Sequence, residues 1–191
     1  MRHEYILSKD KSALLIIDMQ DRLMREIVGA KEIAQNVALI IETAKILHLP
    51  ILLTEHNSRV FGQTIPEIKT KLDNYSPVEK IIFSCFGSEE FRKKISDVGR
   101  EQLIVVGIET HICVCQTVLD AMVEGYDVHV VSNAVSARSE LDHKIGLEKM
   151  YSGGAIPSST EIVVYDLLEK GGTDEFRAVL PLIKKKATTS G

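Results

Sequence analysis

The chain has 191 residues, of which 45% are hydrophobic, and it carries a formal net charge of −4 at pH 7. This supply of apolar side chains is ample for the core of one domain and excludes a disordered chain. The weak negative charge, with basic residues gathered only at 184–186, argues against a nucleic-acid-binding protein, and no apolar stretch approaches the roughly 20 residues that a membrane span requires.

The N-terminal residues and the cysteines indicate the compartment. Residues 1–5 contain no apolar signal region, so we expect a cytoplasmic protein. An odd count of three cysteines then predicts reduced thiols rather than a disulfide framework. Cys85 and Cys115 have the character of small buried hydrophobic residues, which is the usual role of a free cysteine.

The first third of the chain alternates strand and helix patterns. Residues 13–17 form a continuous apolar run, which is typical of a strand that is buried on both faces. Residues 31–48 place apolar side chains at intervals of three or four, which predicts an amphipathic helix that Pro50 ends. A second predicted strand follows at 51–54.

The segment 57–78 interrupts this alternation. It contains Gly62, Pro66 and Pro77, and it predicts at most a short helix at 66–72. Long loops in compact domains tend to be lids or binding loops, so the segment is a candidate wall of a pocket, and a solvated connection is the alternative. The next strand is predicted over 80–83.

The second half of the chain completes the pattern. Strands are predicted at 103–106, 128–131 and 161–165, and apolar spacing predicts a helix that runs from Cys113 to Glu124 before Gly125. With no linker and no internal repeat, we expect one α/β domain over residues 1–191, with a core at about 11–168 and a C-terminal helix and tail at 174–191. The expected fold is a three-layer α/β/α arrangement around a doubly wound, mainly parallel, six-stranded sheet.

Three residues at the edges of these apolar runs carry the groups of a nucleophilic site. Asp18 ends the first run, Lys80 opens the third, and Cys113 follows the fourth after a turn-like segment. Ligands bind at the carboxyl ends of the strands in doubly wound sheets, where Asp18 and Cys113 both fall. Lys80 lies at the opposite end of its predicted strand, so it must reach the site along its own side chain or from a strand that begins close to the centre of the sheet.

The chemistry of the three groups is complementary. A free cysteine has a pKa of about 8.5, and a helix N-terminus or a nearby cation lowers it. We therefore expect Lys80 and the helix start to favour the thiolate of Cys113, and Asp18 to accept its proton. Taken singly, each residue has an ordinary alternative, such as a helix N-cap for Asp18 or a surface pair with Glu79 for Lys80.

Other motifs indicate no cofactor. No Gly-X-Gly-X-X-Gly pattern follows Gly107, so a dinucleotide fingerprint is absent. Cys113 and Cys115 point to different faces of a helix and have no further ligand cluster, which argues against structural zinc. His111 is expected to face away from Cys113 and to be structural rather than catalytic.

Around these residues the chain resembles the isochorismatase-like cysteine hydrolase superfamily. The first matching segments read Leu-Leu-Ile-Ile-Asp-Met-Gln at 14–20 and Lys-Ile-Ile-Phe-Ser at 80–84. The match continues, in the right order and over nearly the whole chain, through residues 107–114, 116–117, 125–131 and 134–138. Residues 53–56 and 62–67 are similar to small isochorismatase-domain proteins of animals and bacteria that lack a settled substrate.

The resemblance implies specific roles for residues of this chain. It implies a parallel sheet of about six strands, a catalytic triad of Asp18, Lys80 and Cys113, and a non-proline cis peptide between Ile108 and Glu109. The backbone N–H groups of Glu109 and Cys113 would then stabilise an oxyanion. Further candidates for the pocket are Gln20, Glu55, Phe61, Phe83 and Thr110.

Departures from the superfamily pattern define the subclass. Nicotinamidase-like members carry an Asp-X-His metal site after the second strand, where this chain has Thr54, Glu55 and His56. Glu55 and His56 would project to opposite sides of a strand, so we predict no metal ion. The isochorismatases that cleave a vinyl ether do not retain the cysteine, so Cys113 favours hydrolysis of an amide or related C–N bond.

The leading hypothesis is a metal-independent cysteine hydrolase that acts on a small molecule through a covalent Cys113 intermediate. The alternative is a catalytically silent member of the family that serves as an oligomeric interaction protein. A redox sensor in which Cys115 resolves an oxidised Cys113 is disfavoured by their spacing on a helix. We expect no nucleic-acid or membrane partner, and a homo-oligomer that is a dimer or larger.

Overall fold

The computed structural model describes residues 2–189, with side chains as far as residue 185. The strands are β1 (Ser12–Ile17), β2 (Ile51–His56), β3 (Val78–Lys80), β4 (Gln102–Ile108), β5 (Asp127–Ser136) and β6 (Ile156–Ser158). Within the described residues they form one six-stranded sheet in the order β3-β2-β1-β4-β5-β6. Each neighbouring pair is parallel, so the predicted doubly wound α/β fold is confirmed.

The helices cover both faces of this sheet. They are α1 (Asp21–Met24), α2 (Ala30–Ile46), α3 (Ser58–Phe61), α4 (Pro66–Lys69), α5 (Glu89–Val98), α6 (Cys115–Val123), α7 (Glu140–Ser152), α8 (Thr160–Leu168) and α9 (Asp174–Thr189). One core contains residues of α2, α8 and α9, and the other contains residues of α5, α6 and α7. Along β1, Leu14 and Ile16 enter the first core and Leu15 and Ile17 enter the second, as the continuous apolar run predicts.

The C-terminal helix begins at the predicted residue. Helix α9 begins at Asp174, where the C-terminal helix was expected, while residues 190–191 of the expected tail lie outside the described residues. The prediction that the whole chain forms one domain stays a prediction. Across residues 2–189, no helix has both the length and the apolar character that crossing a bilayer demands.

The third strand ends where the sequence predicted it to begin. β3 closes at Lys80, which pairs with His56, and the next residue, Ile81, is 76% exposed. The predicted strand over 80–83 is therefore wrong. The chain leaves the sheet after Lys80, whose carbonyl accepts a hydrogen bond from the Asn57 N–H at 2.9 Å. This shift places Lys80 at the same edge of the sheet as Asp18 and Cys113, which the predicted strand did not.

The apolar run at 161–165 is helical rather than extended. It lies within α8, and the sixth strand is instead β6, just before it. The Ser159 side chain caps α8 by accepting a hydrogen bond from the N–H of Ile162, and Val163, Val164 and Leu167 are buried at helical spacing. A short continuous apolar run does not by itself distinguish a buried strand from a helix, which explains the wrong prediction.

Two further segments refine the predicted elements. The long segment at 57–78 contains the short α3 and α4, so the helix expected at 66–72 is present as Pro66–Lys69. A π-helical turn, Thr110–Val114, precedes α6 and contains Cys113. In this turn the N–H groups of Ile112 and Val114 donate to the Glu109 carbonyl at 3.0 and 3.2 Å. Cys113 therefore lies before α6, and the helix predicted to start at Cys113 starts two residues later.

A buried histidine of β5 predicts that acid destabilises the fold. His129 is 1% exposed, and its Nε2 has no hydrogen-bond partner among the described residues. Burial lowers the pKa of His129 from 6.5 to about 4, so the folded state keeps the ring neutral where the unfolded chain is protonated. Above pH 6.5 His129 is neutral in both states and does not affect stability. As the pH falls from 6.5 to about 4, protonation of His129 in the unfolded chain should reduce the free energy of unfolding by about 3 kcal/mol.

The measurement is urea unfolding between pH 7 and pH 4. We expect His129→Leu to lose less stability over this range than the natural chain, since leucine removes the proton that only the unfolded state binds. His3→Leu, at an exposed position, serves as the matched control. An equal loss of stability in all three proteins would contradict the prediction.

Candidate active site

Asp18 lies directly after β1 and joins two other strands through its carboxylate. Its backbone has a left-handed φ of 51°, and the turn is closed by a 2.7 Å hydrogen bond from the Gln20 N–H to its carbonyl. The carboxylate is buried, and its Oδ1 accepts a hydrogen bond from Thr54 Oγ1 at 2.7 Å. Its Oδ2 lies 2.6 Å from Lys80 Nζ. Both oxygens are therefore held by neighbours on β2 and β3.

The ammonium group of Lys80 is the cation of the site. Its side chain is 0% exposed, and it also donates to the Phe83 carbonyl at 3.1 Å. Burial acts to lower the pKa of Lys80, but its interactions with neighbouring groups, of which the charge of Asp18 is the strongest, outweigh burial and raise it. Lys80 is therefore protonated at neutral pH, and the Asp18–Lys80 ion pair is a constant feature of the site.

The Cys113 thiol is the third member, and the structure corrects its predicted ionisation. Cys113 is 7% exposed, and its Sγ lies within 4.8 Å of the Asp18 carboxylate. Burial raises the pKa of Cys113, the charge of Asp18 raises it further, and Lys80 offsets only part of the rise. The prediction of a resting thiolate is therefore wrong, because the sulfur is desolvated beside a carboxylate. At rest the site holds a neutral thiol and an ion pair.

The structure adds His56, a residue that the sequence did not place in the site. One of its ring nitrogens lies within 4.8 Å of both the Asp18 carboxylate and the Cys113 sulfur. Phe83 stacks on the His56 ring at a centroid distance of 5.6 Å and an angle of 22°, and Phe61 packs at 5.6 Å and 34°. The only signal in the sequence that could have placed His56 in the site was the alternation of side chains along a strand. This alternation puts His56 on the same face as Thr54.

Gln20 is buried and binds the end of β2 rather than standing free in a pocket. Its side-chain amide donates to the carbonyls of His56 and Gly62 at 3.1 and 2.7 Å. Its side-chain oxygen accepts the N–H of His56 at 2.7 Å. The two contacts with His56 fix its backbone, so Gln20 supports the site through His56.

The remaining two pocket candidates are engaged with other partners. The Glu55 carboxylate accepts hydrogen bonds from the backbone and hydroxyl of Thr64, at 2.6 and 2.8 Å, and from the hydroxyl of Tyr75. Glu55 alternates with His56 along β2, so it faces away from the thiol. The Thr110 hydroxyl contacts His143 Nδ1 at 2.9 Å, which connects the π-helical turn to α7.

Residues 108–109 precede the π-helical turn, and the peptide bond between Ile108 and Glu109 is cis. The Glu109 side chain accepts the backbone N–H of Arg138 at 3.1 Å and forms an ion pair with its guanidinium at 3.2 Å. A surface cavity of about 250 Å³ borders this turn and is lined in part by Phe61, Glu109 and Arg138. The roles of the Glu109 and Cys113 N–H groups as oxyanion donors stay a prediction.

Asp18, His56 and Cys113 form the group of described residues that offers three donor atoms to a metal ion. Two observations oppose that use. Both Asp18 oxygens already accept hydrogen bonds, and the Lys80 ammonium lies 2.6 Å from one of them. An incoming cation would be repelled by the Lys80 ammonium beside the carboxylate, so these donors suit proton transfer better than metal binding. The metal-free site predicted from the sequence stays a prediction.

Comparison with known proteins gives consistent matches. Residues 12–162 match the family model of the isochorismatase domain. Isochorismatase domain-containing protein 2 of Xenopus laevis is 33% identical over 185 residues, which cover 97% of this chain and 89% of the relative.

Solved structures share the fold over almost their full length. The MAR1 ribonuclease of Caenorhabditis elegans superimposes with a TM-score of 0.88 at 31% identity, covering 94% of this chain and 92% of that one. The YcaC gene product of Escherichia coli, described as an octameric hydrolase of unknown specificity, gives a TM-score of 0.87 at 24% identity, with coverages of 100% and 98%. The sequence matches span most of the chain, and the chain therefore belongs to the isochorismatase family.

Proposed function

We propose that this protein is a cysteine hydrolase that cleaves an amide or a related C–N bond in a small molecule. The observation that carries the proposal is the buried Cys113 thiol within 4.8 Å of the Asp18 carboxylate, which is in turn held by Lys80 at 2.6 Å. A nucleophile, a base within reach and a third group that orients the base are the components of nucleophilic catalysis. Membership of the isochorismatase family supports hydrolase chemistry.

The mechanism follows from the resting protonation states. Asp18 takes the Cys113 proton as the sulfur attacks the acyl or imidoyl carbon, so the thiolate forms during attack. Lys80 stabilises the anionic charge that develops, and the N–H groups of Glu109 and Cys113 are our candidates for the oxyanion donors. Asp18 then protonates the leaving nitrogen as the C–N bond breaks. Water hydrolyses the covalent intermediate and releases the acid.

The depth of the thiol supports a small substrate. Cys113 is 7% exposed, and Asp18 and Lys80 are also buried. A reacting carbon must approach the sulfur to about 3–3.5 Å, which a compact acyl group achieves more easily than a nucleic-acid strand. For this reason we propose small-molecule hydrolysis although the C. elegans structure is named a ribonuclease.

We also propose that the protein works as a homo-oligomer, a dimer or larger. The octameric E. coli neighbour supports this proposal. Exposed apolar side chains lie beside the site, with Ile82 and Phe83 directly after Ile81 and close to Lys80. Apolar surface of this kind is typical of an interface between copies. The cytoplasmic location expected from the sequence stays a prediction.

The test is turnover of a panel of small amides and imides, followed by release of ammonia or amine. We expect at least one substrate whose hydrolysis falls by about 10³-fold or more in Cys113→Ala, because the nucleophile is lost. Cys115→Ala, which removes the neighbouring buried thiol, should retain activity. Binding of amides without any Cys113-dependent product would instead favour the silent, oligomeric interaction protein.

A further inference from the structure

His56 carries a polar atom that the proposed mechanism has not used. Its Nδ1 is buried and has no hydrogen-bond partner among the described residues. Burial lowers the pKa of His56, and the charge of Lys80 lowers it further, so the ring is neutral at pH 7. A neutral imidazole has one nitrogen with an unprotonated lone pair. A buried polar atom without a partner is costly, which points to a donor that arrives with water or substrate.

The upper limit on the distances between these atoms admits a single bridging water. A ring nitrogen of His56 lies within 4.8 Å of the Cys113 sulfur and of the Asp18 carboxylate. One water that hydrogen-bonds two atoms, each at about 2.8 Å, holds those atoms about 4.5–5 Å apart. Water bound in this gap lies beside the carbon that the sulfur would carry in a covalent intermediate.

The His56 ring is also rigidly placed. Phe61 and Phe83 pack against it at centroid distances of 5.6 Å, and Gln20 binds both its backbone N–H and its carbonyl. A general base needs this kind of fixed orientation, since proton transfer depends on reach and alignment.

We propose that His56 is a catalytic residue, the general base that activates the water for hydrolysis of the covalent Cys113 intermediate. This inference rests on the proposed function. The water oxygen attacks the carbonyl carbon of the thioester while one water proton moves to the His56 nitrogen. The C–S bond then breaks, the sulfur leaves with the bonding electrons, and the His56 proton passes to it. The products are a carboxylic acid, a neutral thiol and a neutral imidazole.

Asp18 is less suited to this second step. After the first step it has given its proton to the leaving nitrogen and is again a carboxylate held by Thr54 and Lys80, at 2.7 and 2.6 Å. One acceptor position on each of its oxygens is therefore taken when water arrives. His56 provides a nitrogen, Nδ1, that has no hydrogen-bond partner among the described residues.

The experiment separates formation of the intermediate from its hydrolysis, with p-nitrophenyl acetate as the probe. Nitrophenolate release reports acetylation of Cys113, and intact-mass spectrometry follows loss of the acetyl group. In His56→Gln we expect the acetylation rate to stay within about twofold of the natural protein and deacetylation to slow by about 10²-fold or more. The acetyl adduct should then accumulate on Cys113.

Matched variants make the result specific. His111→Gln changes a histidine that also has a buried Nδ1 without a partner but is not in the donor group, and it should deacetylate at the natural rate. His56→Asn is a second substitution in case glutamine disturbs folding. In His56→Ala, added imidazole should restore deacetylation, which a purely structural role of the ring would not explain.

The outcomes distinguish the two proposals. If the natural protein shows no Cys113-dependent acetylation, the proposed function fails, and the inference about His56 fails with it. If Cys113 is acetylated but the His56 variants lose the acetyl group at the natural rate, only the inference is overturned. Equal slowing of both steps, with no imidazole rescue, would likewise overturn the inference and assign His56 a structural role.

Discussion

Replacing Asp18 by asparagine should remove both catalysis and a large part of the stability. Asparagine has nearly the same shape, but it cannot accept the Cys113 proton, so we expect hydrolysis to fall by about 10²–10⁴-fold or more. The substitution also leaves the Lys80 ammonium, 0% exposed, without its carboxylate. Loss of one member of a buried ion pair typically costs about 3–5 kcal/mol, because the other charge stays desolvated.

Urea unfolding at pH 7 measures this effect, and a second substitution tests its cause. In the double variant Asp18→Asn, Lys80→Met the uncompensated charge is gone, so part of the lost free energy of unfolding should return. Catalysis should stay absent in the double variant. If the double variant is less stable than Asp18→Asn, the stranded ammonium is not the source of the destabilisation.

An exposed ion pair provides the control for the buried one. Lys11 and Glu101 are 2.7 Å apart, close to the 2.6 Å of Lys80 and Asp18, but their side chains are 58% and 69% exposed. Glu101→Gln should therefore change the free energy of unfolding by only about 0–1 kcal/mol. The same chemical change at two burial levels isolates desolvation as the reason for the larger effect.

The sequence was sufficient for the parts of the site that follow central strands. Asp18 and Cys113 come after β1 and β4, whose continuous apolar residues are buried on both faces and unmistakable as strands. The position of Lys80 was harder because β3 is a three-residue edge strand and the apolar residues after it are exposed. A hydrophobic run marks a strand only where the sheet buries it, and burial at an edge depends on neighbours that are distant in sequence.

The ionisation of Cys113 and the position of His56 beside it depend on tertiary contacts. A nearby lysine suggests a lowered thiol pKa, yet burial and Asp18 act in the opposite direction and prevail. His56 lies near the thiol at the end of β2, and the rings of Phe61 and Phe83 pack against it. The direction of the Cys113 pKa shift depends on all the groups that folding brings around the sulfur. The order of residues along the chain does not determine that direction.

Gly107 connects the fold to the site, and substituting it should have the largest structural effect of a single methyl group in this chain. It lies in β4 opposite Ile17, at an irregularity in the pairing of β4 with β5. Its φ is +113°, and a Cβ atom there would meet the Ile17 carbonyl oxygen at 2.1 Å and its nitrogen at 2.7 Å. These are main-chain atoms of a central strand, so they have little freedom to move away.

We expect Gly107→Ala to lose at least about 4 kcal/mol of unfolding free energy, which corresponds to a fall in Tm of roughly 8–16 °C for a domain of this size. Relief of the clash would require β1 to shift at Ile17, and Asp18 is the next residue. The fraction of Gly107→Ala that still folds should therefore also acetylate Cys113 more slowly.

Gly99→Ala is the matched control. Gly99 has a φ of +61°, but nothing lies within 4 Å of its Cβ position, so alanine there should cost only about 1–2 kcal/mol. Thermal unfolding of the two variants compares them directly, and a similar Tm for both would show that β1 can yield at Ile17.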